Sequence, residues 1–280
     1  MLNIITWNVQ WGVGADGRLD LARMVEQARS LADFDVLCLQ EVADNFPDLK
    51  GSTGENQFAA IASLLPGFHP AEGAGVDVPT DNGARARFGN MILSRHPIGQ
   101  ILRHTLPWEA VKQRSMPRML LETVLHLPSG PLRVMTTHLN YAADSLRRAE
   151  IEGIRDTHRL ACARSRVVRE NGKGPYRRPP FSASGVLTGD FNIRPEDPLK
   201  RRISEPYDDG SLAFRDAWEV LHENSPHPDS FCIYDRSSGQ PHCCDYLFVT
   251  EDLAPRVAEV VYDQDRQASD HQPVLLRLDL

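Results

Sequence analysis

Hydrophobic positions along this chain alternate between two periods, and the changes of period mark its elements. Residues 2–7, LNIITW, form a short apolar, β-branched run and predict a strand. A glycine-rich turn follows at 12–17. Leu21, Met24, Val25, Ala28, Leu31 and Ala32 then recur at helical spacing, which predicts an amphipathic helix over 18–32. Residues 35–39, DVLCL, are continuously apolar and predict a buried strand. This β-α-β opening favours a layered α/β core.

Phe58, Ile61, Ala62 and Leu65 predict a second helix over 55–65, and the Gly-, Pro- and Asp-rich stretch 66–84 reads as a long loop. FGNMILS at 88–94 predicts a strand, with 98–105 as its pairing partner. The apolar runs 119–127 and 131–139 flank Pro128-Ser129-Gly130 and predict a hairpin. A long Arg-rich helix is expected over 142–170, then a Pro/Gly/Arg loop over 171–184 and a strand at GVLTGDF. Residues 211–222 read as helical, and 244–249, 257–262 and 273–278 as closing strands. No tandem repeat is visible, and no linker is long enough to separate domains, so residues 1–280 are expected to form one unit of two packed sheets with helices outside.

Composition adds exclusions. Hydrophobic residues at 41% and charged residues at 25% are ordinary for a globular chain, which argues against disorder. The net charge of -7 lends no overall support to a nucleic-acid partner, although a local basic stripe can sit on an acidic protein. No apolar run reaches the length of a membrane span. The N-terminus lacks the basic and apolar regions of a secretory leader, so a cytoplasmic protein starting at or near Met1 is expected. The five cysteines are scattered and do not form a disulfide framework. His242-Cys243-Cys244 lacks a second ligand pair at zinc-site spacing and reads as buried small side chains entering a strand.

Candidate chemistry gathers where the predicted strands end. Asn8 ends the first strand and Glu41 follows the second. His138 ends a hairpin strand, and Asp190 with Asn192 ends GVLTGDF. Asp245 opens a strand, and Asp270-His271 precedes the last one. In layered α/β proteins such positions can converge on one crevice. Each alone has an ordinary reading: a turn amide, a surface acid, an Asx turn, a hydrogen-bonded histidine or a loop pair. The ordered set TWN, LQEV, GNMILSR, TTHL, TGDFN, DYLFV and SDHQPV is harder to dismiss.

With these motifs, from Thr6 to Val274, the sequence resembles the endonuclease/exonuclease/phosphatase superfamily of metal-dependent phosphoesterases. The resemblance implies an α/β four-layer sandwich: two central mixed β-sheets flanked by helices, with the site at one edge. It implies that Asn8, Glu41 and Asp270 hold the metal, Mg²⁺ with Mn²⁺ as the alternative, as one ion or two. By the same likeness Asp190 orients or deprotonates water, and Asn192 holds water or a phosphate oxygen. His138 and His271 clamp the phosphate, and Asp245 fixes the tautomer of His271. Some relatives carry a tyrosine where His138 stands, so the chain is closer to the two-histidine members. Gln10 departs from the aspartate that some apurinic endonucleases have there.

Substrate signals are thinner. Arg114 and Arg118 precede the hairpin, and arginine suits bidentate phosphate recognition. Arg147, Arg148, Arg155, Arg159, Arg164, Arg166 and Arg169 crowd the long helix, but Asp144, Glu150, Glu152, Asp156 and Glu170 offset most of them, so an exposed, salt-bridged face is expected. Lys173, Tyr176, Arg177 and Arg178 form a less compensated loop suited to a phosphate backbone. The expected activity is hydrolysis of a phosphodiester, with DNA or RNA as substrate. A small phosphate ester or lipid head group is the alternative, and a non-catalytic binding module a further one. No protein partner is implied.

Overall fold

The computed structural model describes residues 1–81, 83–167 and 172–280. In chain order its first strands are β1 (Leu2–Asn8), β2 (Val36–Asp44), β3 (His69–Pro79), β4 (Arg85–Ser94), β5 (Ile98–Thr105) and β6 (Met119–Leu127). They are followed by β7 (Gly130–His138), β8 (Gly185–Asp190), β9 (Phe214–Asp216), β10 (Asp245–Thr250), β11 (Val257–Tyr262) and β12 (Val274–Leu278). The α-helices are α1 (Leu21–Leu31), α2 (Gln57–Leu64), α3 (Asp144–Ser165), α4 (Pro198–Ser204) and α5 (Ala217–Leu221).

The strands form two six-stranded mixed sheets, ordered β11-β12-β1-β2-β4-β3 and β5-β6-β7-β8-β10-β9. Strand periodicity sorts side chains between layers. Leu2 and Ile4 of β1, with Val36 and Cys38 of β2, join the core shared with the second sheet. Ile5, Trp7, Leu37 and Leu39 alternate with them and pack with Met24, Val25, Phe58 and Ile61 of α1 and α2. On the outer face of the second sheet, α3 contributes Ile151 and Ile154. The result is the expected α/β sandwich of helices, sheet, sheet and helices.

A polar seam crosses the interface between the sheets. Gln40 Nε2 of β2 donates to Thr6 Oγ1 at 3.2 Å and to Thr136 Oγ1 of β7 at 2.7 Å. Buried amides need such partners, so this bridge ties the sheets in one relative position.

Three expectations fail locally. The stretch 66–84 is not a loop throughout, because β3 pairs along β4 there. It is an edge strand with few buried side chains, so its periodicity is faint. Strand β5 does not pair with β4 but with β6, in the other sheet. The chain turns at Ser94-Arg95-His96, where Ser94 Oγ donates to His96 O, and crosses between sheets. Residues 211–222 are not one helix. Asp216 pairs with Phe248 and caps α5 by accepting from Trp218 N and Glu219 N, so only 217–221 are helical.

The register of the second sheet is decisive for the reactive edge. β7 and β8 run parallel, joined through α3, while β10 runs antiparallel to β8. His138 is opposite Asp190, and Asp190 is opposite Asp245, so these three residues form one rung. Gly189, one residue earlier, allows the close pairing. It has φ +141°, and a Cβ there would stand 1.9 Å from Thr137 O. We expect Gly189→Ala to cost on the order of 1–3 kcal/mol, as overpacking does, and to displace Asp190. Thermal denaturation checks this, and an unchanged Tm would mean that the Thr137 backbone can yield.

Candidate active site

All eight polar residues picked out at predicted strand ends lie at one edge of the two sheets. Asn8 stands at their centre. Its Nδ2 donates to Glu41 Oε1 at 3.1 Å and to Asp190 Oδ2 at 3.0 Å, and lies 3.4 Å from His271 Nε2. Its Oδ1 accepts from Gln10 N at 3.1 Å, and Ser269 Oγ donates to its carbonyl at 2.7 Å. These contacts turn the amide nitrogen toward the two carboxylates and its oxygen toward the backbone of Gln10.

Glu41 lies at a register shift between β2 and β4 and has a left-handed backbone, φ +61°. A non-glycine residue adopts this region at a cost, and such strain is often stored at functional sites. Burial first, then the charge of Asp270, pushes the Glu41 carboxyl up to about 7. The carboxyl of Asp270 is also raised, chiefly by burial, although Gln10 Nε2 donates to its Oδ2 at 2.9 Å.

Asp190 is fully enclosed. His138 Nε2 lies 3.3 Å and His271 Nε2 3.7 Å from its Oδ2, while its Oδ1 accepts from Asn192 N at 2.9 Å. Burial dominates and pushes Asp190 up to about 6, against the pull of His271. Asn192 has φ +51°, and its Nδ2 donates to Leu139 O at 3.0 Å. The asparagine side chain thus closes the loop onto the strand that carries His138.

The two histidines differ. His271 Nδ1 meets Asp245 Oδ2 at 2.9 Å, and Ser230 Oγ donates to the same oxygen at 2.7 Å. Burial works against a charge on His271, but Asp245 and Asp190 together hold its pKa up at about 10. Trp7 Nε1 donates to His271 O at 2.8 Å and pins the loop to β1. His138 is driven the other way, by burial and then by the charges of Arg118 and His271, which disfavours its charged form.

The substrate candidates separate. Arg114 is exposed and does not line the cavity beside Glu41 and His138, whereas Arg118 does. Arg118 is only 5% exposed, and its Nε has no hydrogen-bond partner among the described residues. Lys173, Tyr176, Arg177 and Arg178 are exposed. Arg169 and Glu170 lie outside the described residues. The long helix is not simply an exposed salt-bridged face. Arg155 turns inward to donate to the carbonyls of Arg202 at 2.9 Å and Glu205 at 2.8 Å, and Glu150 Oε2 accepts from Asn140 N at 2.8 Å. Sequence reasoning missed Gln10, Glu150 and Ser230, because a polar residue inside an amphipathic pattern or a loop looks like solvent-facing material.

The donor chemistry suits a hard divalent ion. Glu41 and Asp270 are carboxylates withdrawn from water at one edge, where burial raises both and the charge of Asp270 raises Glu41 further, and a cation would favour their ionised forms. Among the described residues, two groups of three have ligand atoms within 4.8 Å of one another: Asp190, Cys244 and His271, and Asp216, Glu219 and His227. The first includes a thiol that burial pushes far up, so Cys244 is a neutral, poor ligand. The second already holds a cation, since Lys200 Nζ lies 2.8 Å from Asp216 Oδ2 and 2.5 Å from Glu219 Oε1. Cys243 is likewise buried, as a small side chain entering β10 would be.

A strand-edge site with this layout belongs to a known class. Residues 5–271 match the model of the Endonuclease/Exonuclease/phosphatase family, and the chain belongs to that family. Its members are phosphoester hydrolases and generally depend on a divalent metal. Among solved structures, an endonuclease/exonuclease/phosphatase from Beutenbergia cavernae DSM 12333 is 26% identical with a TM-score of 0.70, covering 99% of this chain and 71% of that one. Truncated Caenorhabditis elegans TDP2 is 18% identical with a TM-score of 0.66, covering 100% and 97% of the two chains. A mannosyl-6-phosphatase from Bacteroides thetaiotaomicron VPI-5482 is 17% identical with a TM-score of 0.64, covering 100% of both. Among curated proteins, no match reaches significance. No helix among the described residues is long and apolar enough to cross a membrane.

The charge on His271 depends on its carboxylate neighbour. In metal-free protein, an NMR titration of the His271 ring should place its midpoint near 10, and Asp245→Asn should lower it by about one unit or more. A midpoint that does not move would exclude Asp245 as the source of that charge.

Proposed function

We propose that residues 1–280 form one catalytic domain that hydrolyses phosphodiester bonds of nucleic acid with the aid of Mg²⁺. The observation that carries this reading is the enclosed carboxylate of Asp190, set between Asn8, His138 and His271. In this reading Glu41 and Asp270 would hold the ion, joined by Asn8 once its amide turns its oxygen toward them, and the ion would supply a Lewis acid that offsets phosphate charge.

The remaining roles follow from the surroundings of each group. Asp190, its carboxyl already raised to about 6, accepts a proton from water and aims its lone pair. Asn192 cannot act as a base. Its amide steadies the loop beside Asp190 and offers a contact for water or a phosphate oxygen. His271, positively charged and held by Asp245, donates to a non-bridging phosphate oxygen. His138, kept neutral, donates or accepts without adding charge. Arg118 brings a buried guanidinium whose Nε lacks a protein partner, and a phosphate oxygen would satisfy it.

A second reading, hydrolysis of a sugar phosphate or lipid head group, is favoured by the net charge of -7, which repels a long polyanion. A panel of plasmid DNA, RNA, sugar phosphates, inositol phosphates and sphingomyelin separates the two. Nuclease activity should fall steeply with salt, and activity on a small ester should not. EDTA should abolish turnover and Mg²⁺ restore it, so full activity after exhaustive chelation would overturn the metal assignment.

Asp190→Asn should lower kcat by orders of magnitude and leave substrate affinity equal or tighter, since a negative charge near phosphate is removed. If Asp190 serves only as an Asx-turn residue, single-turnover rates will barely change. For Arg118→Leu, the expectation is a rise in KM of about tenfold or more, by loss of a charge-assisted hydrogen bond. Unaltered KM would remove Arg118 from substrate binding.

A further inference from the structure

Beside the carboxylate edge stands a group of aromatic rings that the proposed chemistry does not use. Trp11, Phe46 and Phe88 are all half-buried. The Trp11 and Phe88 ring centroids are 6.5 Å apart, and Phe46 meets Phe88 edge-on at 6.2 Å. Phe88 lines the same cavity as Glu41, Arg118 and His138. Trp11 follows Gln10, whose backbone N–H is bonded to Asn8 and whose amide is bonded to Asp270.

The backbone gives a second, independent sign. Trp11 has φ +43° and Gln10 φ +44°, in a region that a bulky side chain enters only at a cost. The turn is held there by Trp11 Nε1 donating to Lys50 O at 3.0 Å and by Trp11 O accepting from Gln57 Nε2 at 2.8 Å. An indole needed only for packing has no reason to require that turn.

We propose that Trp11 and Phe88, backed by Phe46, form a stacking platform for a nucleobase next to the scissile phosphate. This rests on the phosphodiesterase reading above and specifies its substrate. The chemistry of the wall selects the occupant. Glu41 and Asp270 make the adjoining edge acidic, which disfavours a second phosphate. Arg87, the nearest cation in sequence to Phe88, is engaged by Asp44 at 2.8 Å and by Glu72 at 3.0 Å. A bare sugar would find few hydrogen-bonding partners on these rings, because the indole N–H already donates to Lys50 O. A planar, uncharged base fits them, and stacking tolerates any base.

The test compares a dinucleotide with an analogue that keeps the same phosphodiester but lacks the base on one side, in turn on each side, with Mg²⁺. The wild-type protein should prefer the complete dinucleotide over one of the two analogues by about tenfold in kcat/KM. Trp11→Ala and Phe88→Leu should each bring that ratio close to one. In an Asp190→Asn background, the complete dinucleotide should also quench tryptophan fluorescence, and Trp11→Phe should abolish the quench, which reads binding without turnover. Equal kcat/KM for all three substrates in the wild type, or a preference that survives both variants, overturns the platform. Hydrolysis of bis-para-nitrophenyl phosphate or a sugar phosphate, with neither dinucleotide cleavage nor quenching, overturns the platform but leaves a phosphoesterase. Absence of hydrolysis on every ester overturns the proposed function, and the quenching measurement then decides the platform by itself.

Discussion

The reactive edge depends on one constraint: several carboxylates are withheld from water within reach of a single amide. Asn8 Nδ2 serves Glu41 and Asp190 at once, with His271 Nε2 3.4 Å from the same nitrogen. Desolvation in such a place disfavours ionised acids, and mutual repulsion disfavours them further. The protein answers by favouring the charged form of one histidine, His271, through Asp245 and Asp190, and disfavouring it in the other, His138, by burial. This asymmetry sets two imidazoles of opposite preference against the same carboxylate, Asp190. The two imidazoles are therefore not a symmetric pair.

Strand register delivers the asymmetry. His138, Asp190 and Asp245 are distant in sequence but share one rung. Two parallel crossovers, one through α1 and one through α3, bring the C-terminal ends of β1, β2, β7 and β8 to the same side. Antiparallel β10 and β12 begin where those strands end, so residues preceding or opening them arrive there as well. The Gln40 bridge to Thr6 and Thr136 then locks the two half-sites together. Geometry at the edge thus depends on the whole sandwich together with the loops that carry Asn192, Asp270 and His271.

Much of this was legible in the sequence, and the exceptions have physical causes. Period-two and period-3.6 patterns marked β1, α1, β2, α2 and the β6–β7 hairpin. Polar residues ending apolar strands marked the site, because a carboxylate such as Asp190 after GVLTG has no packing reason to be there. Strand β3 was hidden, since Gly73 and Gly75 pack too close to neighbours to show a side-chain alternation. The pairing of β5 was hidden because a short connection reads as a hairpin whether or not the chain changes sheets. Arg133 is wholly buried against Glu122 at 2.6 Å and His158 at 3.1 Å. Charge patterns alone suggest the opposite, as the partners come from β6 and α3.

The left-handed backbone at Glu41 has a consequence for anyone who engineers this chain. Together with the enclosed carboxyl of Asp190 and the unpartnered nitrogen of Arg118, it marks positions where the folded state works against itself. Glycine at 41, or an uncharged side chain at 190 or 118, would relieve strain or desolvation. A library selected only for heat resistance would therefore be enriched in variants at these places, and its survivors would be the ones with the reactive edge dismantled. Robustness and turnover draw on the same few residues in opposite directions.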